Sequence, residues 1–251
     1  MRKIAFALAL GTLVAFAPPA SAEAGGVVFG SVWFDVNEDG IRQADEPPVA
    51  GYQLMLNDMY TGVTSTDENG NYRFENFPDR TSYRISWFGR GTWAFTKSGG
   101  DSDFDPNTGA TADFTVQPGE QAGPFNAGLI KERVDTAVTA VRAPRKVRVG
   151  DEVEVKITFE NTGNSPTPLS GIATFPAGMT PLWTDAPVPY IDGQKVYMSS
   201  YYQPDTNIGE SVTYTVRARV DASVRGQIVA EANNPWDTDE NNNVRKATVR
   251  T

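Results

Sequence analysis

The segment DVNEDGIRQADE, residues 35–46, places oxygen-bearing residues at the spacing of a twelve-residue calcium loop. The predicted ligands, at loop positions one, three, five, seven and twelve, are Asp35, Asn37, Asp39, Ile41 through its backbone carbonyl, and Glu46. Ca²⁺ takes about six to eight oxygen ligands, which alternate acidic side chains on a tightly turned backbone can supply. Gly40 stands where the turn is sharpest. The alternative is an acidic surface turn, because Asp, Asn and Gly are also the usual residues of turns.

A second acidic run, DSDFDPNTG at residues 101–109, is a further candidate cation site. Asp101, Asp103 and Asp105 alternate along it, and the nearest basic residue is Lys97. Three like charges so close together repel one another, and a bound cation would offset that repulsion. The alternative is a solvated acidic loop.

Two other polar segments predict turns first and cation sites second. DENGNYRF, residues 67–74, contains an Asn-Gly pair, which is a strong hairpin signal, and Asp67 is a candidate extra ligand. DTDENNN, residues 237–243, is also typical of a polar hairpin. Its candidate ligands are Asp237, Asp239 and Asn241.

The residues that flank the first loop predict strands, not the paired helices of an EF-hand. Residues 27–34, VVFGSVWF, are rich in β-branched and aromatic side chains. Pro47 and Pro48 follow the loop directly, and a helix tolerates proline only in its first turn. We therefore expect the loop to connect strands.

The amino terminus predicts export. Arg2 and Lys3 precede an apolar run over residues 4–16, and Ala20-Ser21-Ala22 is typical of a secretory cleavage site. The run is shorter than the roughly 20 residues that a membrane-spanning helix needs. We read residues 1–22 as a cleaved signal peptide and expect a secreted mature chain without a transmembrane segment.

The composition excludes several kinds of chemistry. The chain has no Cys and no His, which excludes disulfides, thiol nucleophiles, Ser-His-Asp triads and ordinary zinc sites. Residues 23–129 carry 16 acidic and 6 basic side chains, whereas residues 130–251 carry 15 and 14. The acidity therefore lies where the calcium-like loops lie, and it argues against nucleic acid as a partner.

Strand patterns dominate the chain, so the sequence predicts an all-β fold of two tandem β-sandwich domains. The first domain, residues 23–130, has predicted strands at 27–34, 51–56, 70–74, 82–88, 92–96, 111–116 and 124–129. The pattern restarts after residues 129–134 as a second domain, residues 131–251. There residues 153, 155, 157 and 159 alternate on one face, as do residues 212, 214, 216, 218 and 220.

The first domain resembles the B-repeat domain of staphylococcal serine-aspartate-repeat adhesins. The similarity runs through GSVWFDVNEDGIRQADEPPVAGYQLML, TDENGNYRFENFP, DSDFDPNTGATADFTVQPGE and NAGL. It implies a transthyretin-like, CNA-B-like β-sandwich that calcium stiffens and that serves as a spacer, with residues 35–46 and 101–105 matching the calcium-binding segments of the family. Asn126 departs from the closing DAGL of the family. Related domains form a Lys-Asn isopeptide bond, but the first strand here has no Lys to pair with Asn126.

The second domain is similar to bacterial immunoglobulin-like cell-adhesion-related and conserved-repeat domains. The matching segments are VRVGDEVEVKITFENTGNSP, FPAGMT and DTDENNN. The resemblance implies an Ig-like extracellular stalk or adhesion module.

Together these observations predict a secreted, non-enzymatic bacterial protein with a calcium-stabilised structural or adhesion module. It is expected at the cell surface without covalent attachment, with a matrix protein, a cell-wall component or a glycan as partner. The alternative is a carbohydrate- or matrix-binding module that uses aromatic side chains. The candidates are Trp87, Trp93, Trp183, Trp236, Tyr201 and Tyr202. We expect most of them in the core and Trp236, in a loop, to be exposed.

Overall fold

The structure is a computed structural model that describes residues 26–88 and 92–251. The expected signal peptide, residues 1–22, lies outside the described residues. Over the described residues the fold is all-β, as predicted, and apart from the short 3-10 turn Glu240–Asn242 its regular elements are strands. No helix within these residues is long and apolar enough to cross a membrane.

The amino-terminal half forms two sheets that face each other. The strands are β1 Val27–Phe34, β2 Gln53–Leu56, β3 Val63–Ser65, β4 Asn71–Phe74, β5 Ile85–Trp87, β6 Trp93–Phe95, β7 Gln121–Ala122 and β8 Ala127–Lys131. One sheet has the order β4-β1-β8-β6, with β7 beside β1, and the other has the order β3-β2-β5. Strands β1 and β8 run parallel, while β1 pairs with β4 in antiparallel register.

Alternating side chains of these strands fill the first core. Leu54 and Leu56 from β2 and Ile85 from β5 are wholly buried against Val28 and Val32 of β1. The strand predicted at 111–116 is wrong, because this segment pairs with the described residues through one isolated bridge, Tyr83–Phe114, and not through a ladder. The sequence pattern also missed the short strands β3 and β7.

The carboxy-terminal half is a second pair of sheets. The strands are β9 Thr136–Arg142, β10 Glu152–Asn161, β11 Ser170–Thr174, β12 Met179–Thr184, β13 Tyr190–Asp192, β14 Lys195–Ser199, β15 Ser211–Val220, β16 Arg225–Ala232 and β17 Val244–Arg250. The strand orders of the two sheets are β12-β15-β10-β9 and β13-β14-β11-β16-β17.

The predicted alternation in β10 and β15 is confirmed. Residues 155, 157 and 159 of β10 and residues 214, 216, 218 and 220 of β15 are buried in one core with side chains of the facing sheet. Burying one face of each strand fixes its register, since a slip by one residue would expose the apolar set. The first core ends at Leu129 and the second begins at Val138, while the domain division at residues 130 and 131 stays a prediction.

Candidate metal centre

Asp35 is a buried carboxylate at the end of β1. It is only 2% exposed, and its backbone N–H donates to the carbonyl of Leu129 over 2.9 Å. Its Oδ1 accepts the backbone N–H of Asp39 over 3.1 Å, and its Oδ2 accepts that of Gly40 over 2.8 Å. Because Gly40 has a positive φ of 80°, the chain turns back tightly enough for both N–H groups to reach one carboxylate.

Glu46 closes the same loop from its other end. It is 8% exposed, its Oε1 accepts the backbone N–H of Val36 over 2.7 Å, and its Oε2 accepts that of Gln43 over 3.0 Å. The sequence thus places two largely buried carboxylates at the first and last positions of one loop, and backbone N–H groups hold both of them.

Asn37 and Asp39 lie on the exposed side of the loop. Asp39 Oδ1 accepts the backbone N–H of Ile41 over 2.7 Å, and its Oδ2 accepts the side-chain amides of Asn37 and Gln43, each over 2.9 Å. The hydrogen bonds from these donors hold the pKa of Asp39 below its ordinary value, and the bond from the N–H of Ile41 has the largest effect. Asp39 therefore stays ionised at neutral pH.

Asp101 joins this loop from a distant part of the sequence. Its Oδ2 accepts the backbone N–H of Arg42 over 2.9 Å, and its own N–H donates to the carbonyl of Gly40 over 2.8 Å. A side chain at position 100 could not fit this approach, since a Cβ on Gly100 would lie 2.5 Å from the carbonyl oxygen of Gly40. The structure therefore brings the two predicted acidic segments together at Asp101.

Asp103 and Asp105 have other partners. Asp103 Oδ2 accepts the backbone N–H of Asn126 over 2.7 Å. Asp105 Oδ1 caps a turn by accepting the backbone N–H groups of Asn107 and Thr108. Between these acids, Phe104 is fully buried and stacks on Phe95 with ring centroids 5.1 Å apart.

The residues of the loop fit calcium by the chemistry of their donor atoms. All predicted ligands offer oxygen, and a carboxylate has about four lone-pair sites, so one N–H bond to each oxygen leaves acceptor capacity. No group of three or more His, Cys, Asp or Glu side chains among the described residues is placed to hold a metal ion. A site here would thus depend also on the amide oxygen of Asn37 and the carbonyl of Ile41. The calcium site stays a prediction.

The two weaker cation candidates are turns in the structure. Asp67 Oδ1 accepts the backbone N–H groups of Asn69 and Asn71, which closes the predicted turn. The flanking strands β3 and β4 belong to different sheets, so this turn is not a hairpin. In the other segment, Asp239 caps the 3-10 turn, and Asp237 Oδ2 accepts the backbone N–H of Thr136 over 2.9 Å.

Asn126 takes a hydroxyl partner. Its Oδ1 accepts from the backbone N–H of Ser31 over 3.0 Å and from the Ser31 hydroxyl over 2.9 Å. The guanidinium of Arg42 donates to the same hydroxyl over 3.0 Å. Arg42, which is foreign to the usual loop pattern, thus ties the loop to β1.

The loop also contacts the second unit. Arg133 donates from both terminal nitrogens to Glu38, at 2.7 and 3.0 Å, and its backbone N–H donates to Asn164 Oδ1 over 2.6 Å. The hydrogen bonds from Arg133 to Glu38 raise the pKa of Arg133. A second bridge joins the N–H of Ile208 to Asn107 Oδ1 over 2.9 Å. Sequence reasoning missed both bridges, because each joins residues about a hundred positions apart.

The expectation that most of the candidate aromatic side chains are buried is wrong. Trp87 is half-buried, but the other candidates are exposed, and Trp236 has 73% of its surface exposed, as predicted for a loop residue. The exposed candidates are Trp93, Trp183, Trp236, Tyr201 and Tyr202. Alternation along a strand shows that two faces exist, but not which face is covered.

Comparison with known proteins shows which family the first unit is similar to. The SdrD B-like domain family matches residues 28–129. Serine-aspartate repeat-containing protein I of Staphylococcus saprophyticus is 46% identical over 48 residues, which cover 18% of this chain and 2% of that protein. Fibrinogen-binding protein of Staphylococcus epidermidis is 44% identical over 48 residues, covering 18% of this chain and 4% of that protein. The chain therefore spans only a small part of these relatives.

The solved structures that this chain is similar to share less of its sequence. A non-cellulosomal cohesin from Archaeoglobus fulgidus is 15% identical, with a TM-score of 0.30, over 46% of this chain and 90% of the cohesin. The major pilin SpaD from Corynebacterium diphtheriae is 10% identical, with a TM-score of 0.26, over 90% of this chain and 66% of the pilin.

Proposed function

Because residues 28–129 match the SdrD B-like domain family, we propose that the protein is a secreted, non-enzymatic structural or adhesion module whose first β-sandwich is stabilised by calcium. The observation that supports this proposal is the pair of buried carboxylates at Asp35 and Glu46. The salt bridges found within residues 26–88 and 92–251 pair neither of them with Lys or Arg. Buried charge is costly unless it is compensated, and a divalent cation is a suitable compensating charge.

Calcium, when bound, would supply the positive charge that these carboxylates lack. The residues that would hold it are the side chains of Asp35, Asn37, Asp39 and Glu46 with the carbonyl of Ile41. Asp101 positions the loop from outside through the Arg42 N–H and the Gly40 carbonyl. Asp103 and Asp105 hold the adjacent loop by accepting backbone N–H groups. Their role as calcium ligands stays a prediction.

The loop can stabilise the fold only if the ion binds the folded state better than the unfolded chain. At a free calcium concentration of 100 times Kd, binding to the folded state alone contributes about 2.7 kcal/mol. That is a large share of the roughly 5–15 kcal/mol that holds a typical domain folded. The chain has no Cys, so calcium binding would supply stability that exported proteins often obtain from disulfides.

The second unit serves as a companion spacer or adhesive surface. Arg133 of the second unit contacts the loop through Glu38 and its own unit through Asn164, so ordering of the loop also restrains the junction between the units. An ordered loop would therefore favour an extended, stiff module over two freely jointed ones.

The proposed setting is the cell exterior, with the mature chain secreted or associated with the cell surface. The partners we propose are a matrix protein, a cell-wall component or a glycan. Catalysis has little support, because apart from Asp35 and Glu46 the described acids are mostly exposed to water. A general acid would need an environment that raises its pKa.

The second candidate function, carbohydrate or matrix binding through aromatic side chains, is favoured by a specific observation. Large aromatic surfaces stay exposed on both units, and Trp236 is the clearest case. Such surfaces on a soluble domain commonly mark contact sites.

Scanning calorimetry tests the calcium proposal. We expect residues 23–251 to melt at a higher temperature in millimolar calcium than in chelator. The variant Asp35→Asn should lose most of this shift, whereas Asp79→Asn, an equal charge change at an exposed residue of the same unit, should keep it. A melting temperature of the wild-type chain that is the same in calcium and in chelator would contradict the proposal.

A further inference from the structure

A groove opens where the two units meet, and no residue of the calcium-like loop 35–46 lines it. Its volume is about 630 Å³, within the approximate 300–1,000 Å³ range of small-molecule sites. The groove is lined by Thr92 and Trp93 of the first unit, by Lys131 and Glu132 at the junction, and by Val134, Pro166, Thr167, Trp236 and Thr238 of the second unit.

Trp236 offers an indole to this groove on a well-held backbone. Its backbone N–H donates to Asn234 Oδ1 over 3.2 Å, and the neighbouring Asp237 is fixed by its bond from Thr136. The hydroxyl of Thr238 donates to the carbonyl of Val134 over 2.9 Å. The loop is therefore ordered on both sides of an indole that is 73% exposed, so a ligand would meet a preformed surface.

Trp93 provides the second indole, from the other unit. It is 39% exposed, and it packs on Phe34 with ring centroids 4.5 Å apart. Packing on Phe34 holds the ring in place while leaving part of its surface to the groove. An ordered aromatic ring that keeps exposed surface suits a binding site, because little conformational freedom is lost when a ligand covers it.

The polar residues of the groove supply both donors and acceptors with no net charge. Lys131 is a donor, Glu132 is an acceptor, and their charges cancel. The threonine residues, Thr92 among them, add hydroxyl groups that can do either. This balance disfavours a strongly acidic or basic partner and suits a ligand that carries many hydroxyl groups.

We propose that the groove between the units, lined by Trp93 and Trp236, binds a neutral saccharide, an inference that rests on the second candidate function, binding through exposed aromatic side chains. A pyranose ring has an apolar C–H face and a rim of hydroxyls, so it can lie on an indole while its rim bonds to Lys131 and Glu132. An extended proline-rich peptide is the rival ligand, since it also docks on aromatic grooves. The adjacent opposite charges favour the saccharide, because a proline-rich segment offers carbonyl acceptors but few donors for Glu132.

The test is titration calorimetry of residues 23–251, in calcium, with cellotetraose, chitotetraose, maltotetraose and mannotetraose, and with decaproline as the peptide probe. We expect saturable binding of at least one saccharide and none of decaproline. Trp236→Ala and Trp93→Ala should each weaken that binding tenfold or more. The control is Trp183→Ala. Trp183 lies on β12 beneath Arg217 of β15, is 44% exposed, close to the 39% of Trp93, and does not line the groove.

Three results would overturn the inference. They are no saturable binding of any of the four saccharides at 10 mM (on the order of ten times the weak 1 mM limit), equal loss in the Trp183→Ala control, or tight binding of decaproline that depends on Trp236. Thermal melts of each variant separate loss of the groove from loss of folding, because Trp236 is exposed and its removal leaves both cores intact. The result is also independent of the calcium proposal, since a chain that binds saccharide equally well in chelator would still support the groove.

Discussion

Replacing Asp35 with Asn separates the structural role of this side chain from its proposed role toward calcium. The substituted amide would keep the shape of the side chain but would present an NH₂ group in place of one of the oxygens that accept the N–H groups of Asp39 and Gly40. Leaving one buried N–H unsatisfied costs about 1–3 kcal/mol. Removing a buried charge without a cationic partner offsets part of that cost in chelator. In calcium at 100 times Kd, about 2.7 kcal/mol of linkage is lost as well.

The assay is urea unfolding of wild type and Asp35→Asn, each in calcium and in chelator, followed by the fluorescence of the first unit's tryptophans. The destabilisation in calcium should exceed that in chelator by about 2–3 kcal/mol at 100 times Kd. Asp79→Asn, which is exposed, should show no such difference. Equal destabilisation of Asp35→Asn in both conditions would refute the reasoning, because the carboxylate would then act only as an acceptor for the backbone.

Contacts in the same region give three further predictions. Phe104→Ala should destabilise the first unit by about 3–5 kcal/mol, because it removes a fully buried ring. Urea unfolding should show this loss in the first unit and an unchanged stability of the second unit. A cost below about 1 kcal/mol would contradict the prediction. Arg133→Ala should cost about 0.5–1 kcal/mol, since its pair with Glu38 is nearly half exposed and screened by solvent; X-ray scattering should show a broader range of shapes, and a double-mutant cycle with Glu38→Gln isolates the pair. The lowered pKa of Asp39 means that its contribution to stability is present above the ordinary Asp pKa and is lost as pH falls through the lowered value; an NMR titration of the carboxyl that gives an ordinary or raised pKa would contradict the prediction.

The sequence carried enough information for the all-β class and for the strands with long alternation. Residues 153–159 of β10 alternate strictly, and burial of one face leaves only one register, so the prediction held. The stretch 111–116 also reads as a strand, yet among the described residues it pairs through one isolated bridge and not through a ladder. Composition indicates which residues tolerate a strand, but a strand also requires a partner edge, and this edge is set by distant parts of the chain.

The candidate site was predictable where its geometry is local. The turn at Gly40 and the closing Glu46 lie within twelve residues, so their spacing alone indicates the loop. Asp101 reaches that loop across 59 positions of the sequence, and the burial of the nearby Phe104, a lone aromatic side chain in an acidic run, is marked by no periodic pattern. The contact between Glu38 and Arg133 depends on how the two units meet and has no signal in either segment.

Anomalous diffraction from crystals of residues 23–251 grown in calcium tests the central claim most directly. We predict a calcium peak inside loop 35–46, with oxygen atoms of Asp35, Asp39 and Glu46 at about 2.3–2.6 Å. The claim would be contradicted by crystals grown in 10 mM calcium, about ten times the weakest extracellular Kd, in which loop 35–46 holds only water or shows no anomalous calcium peak.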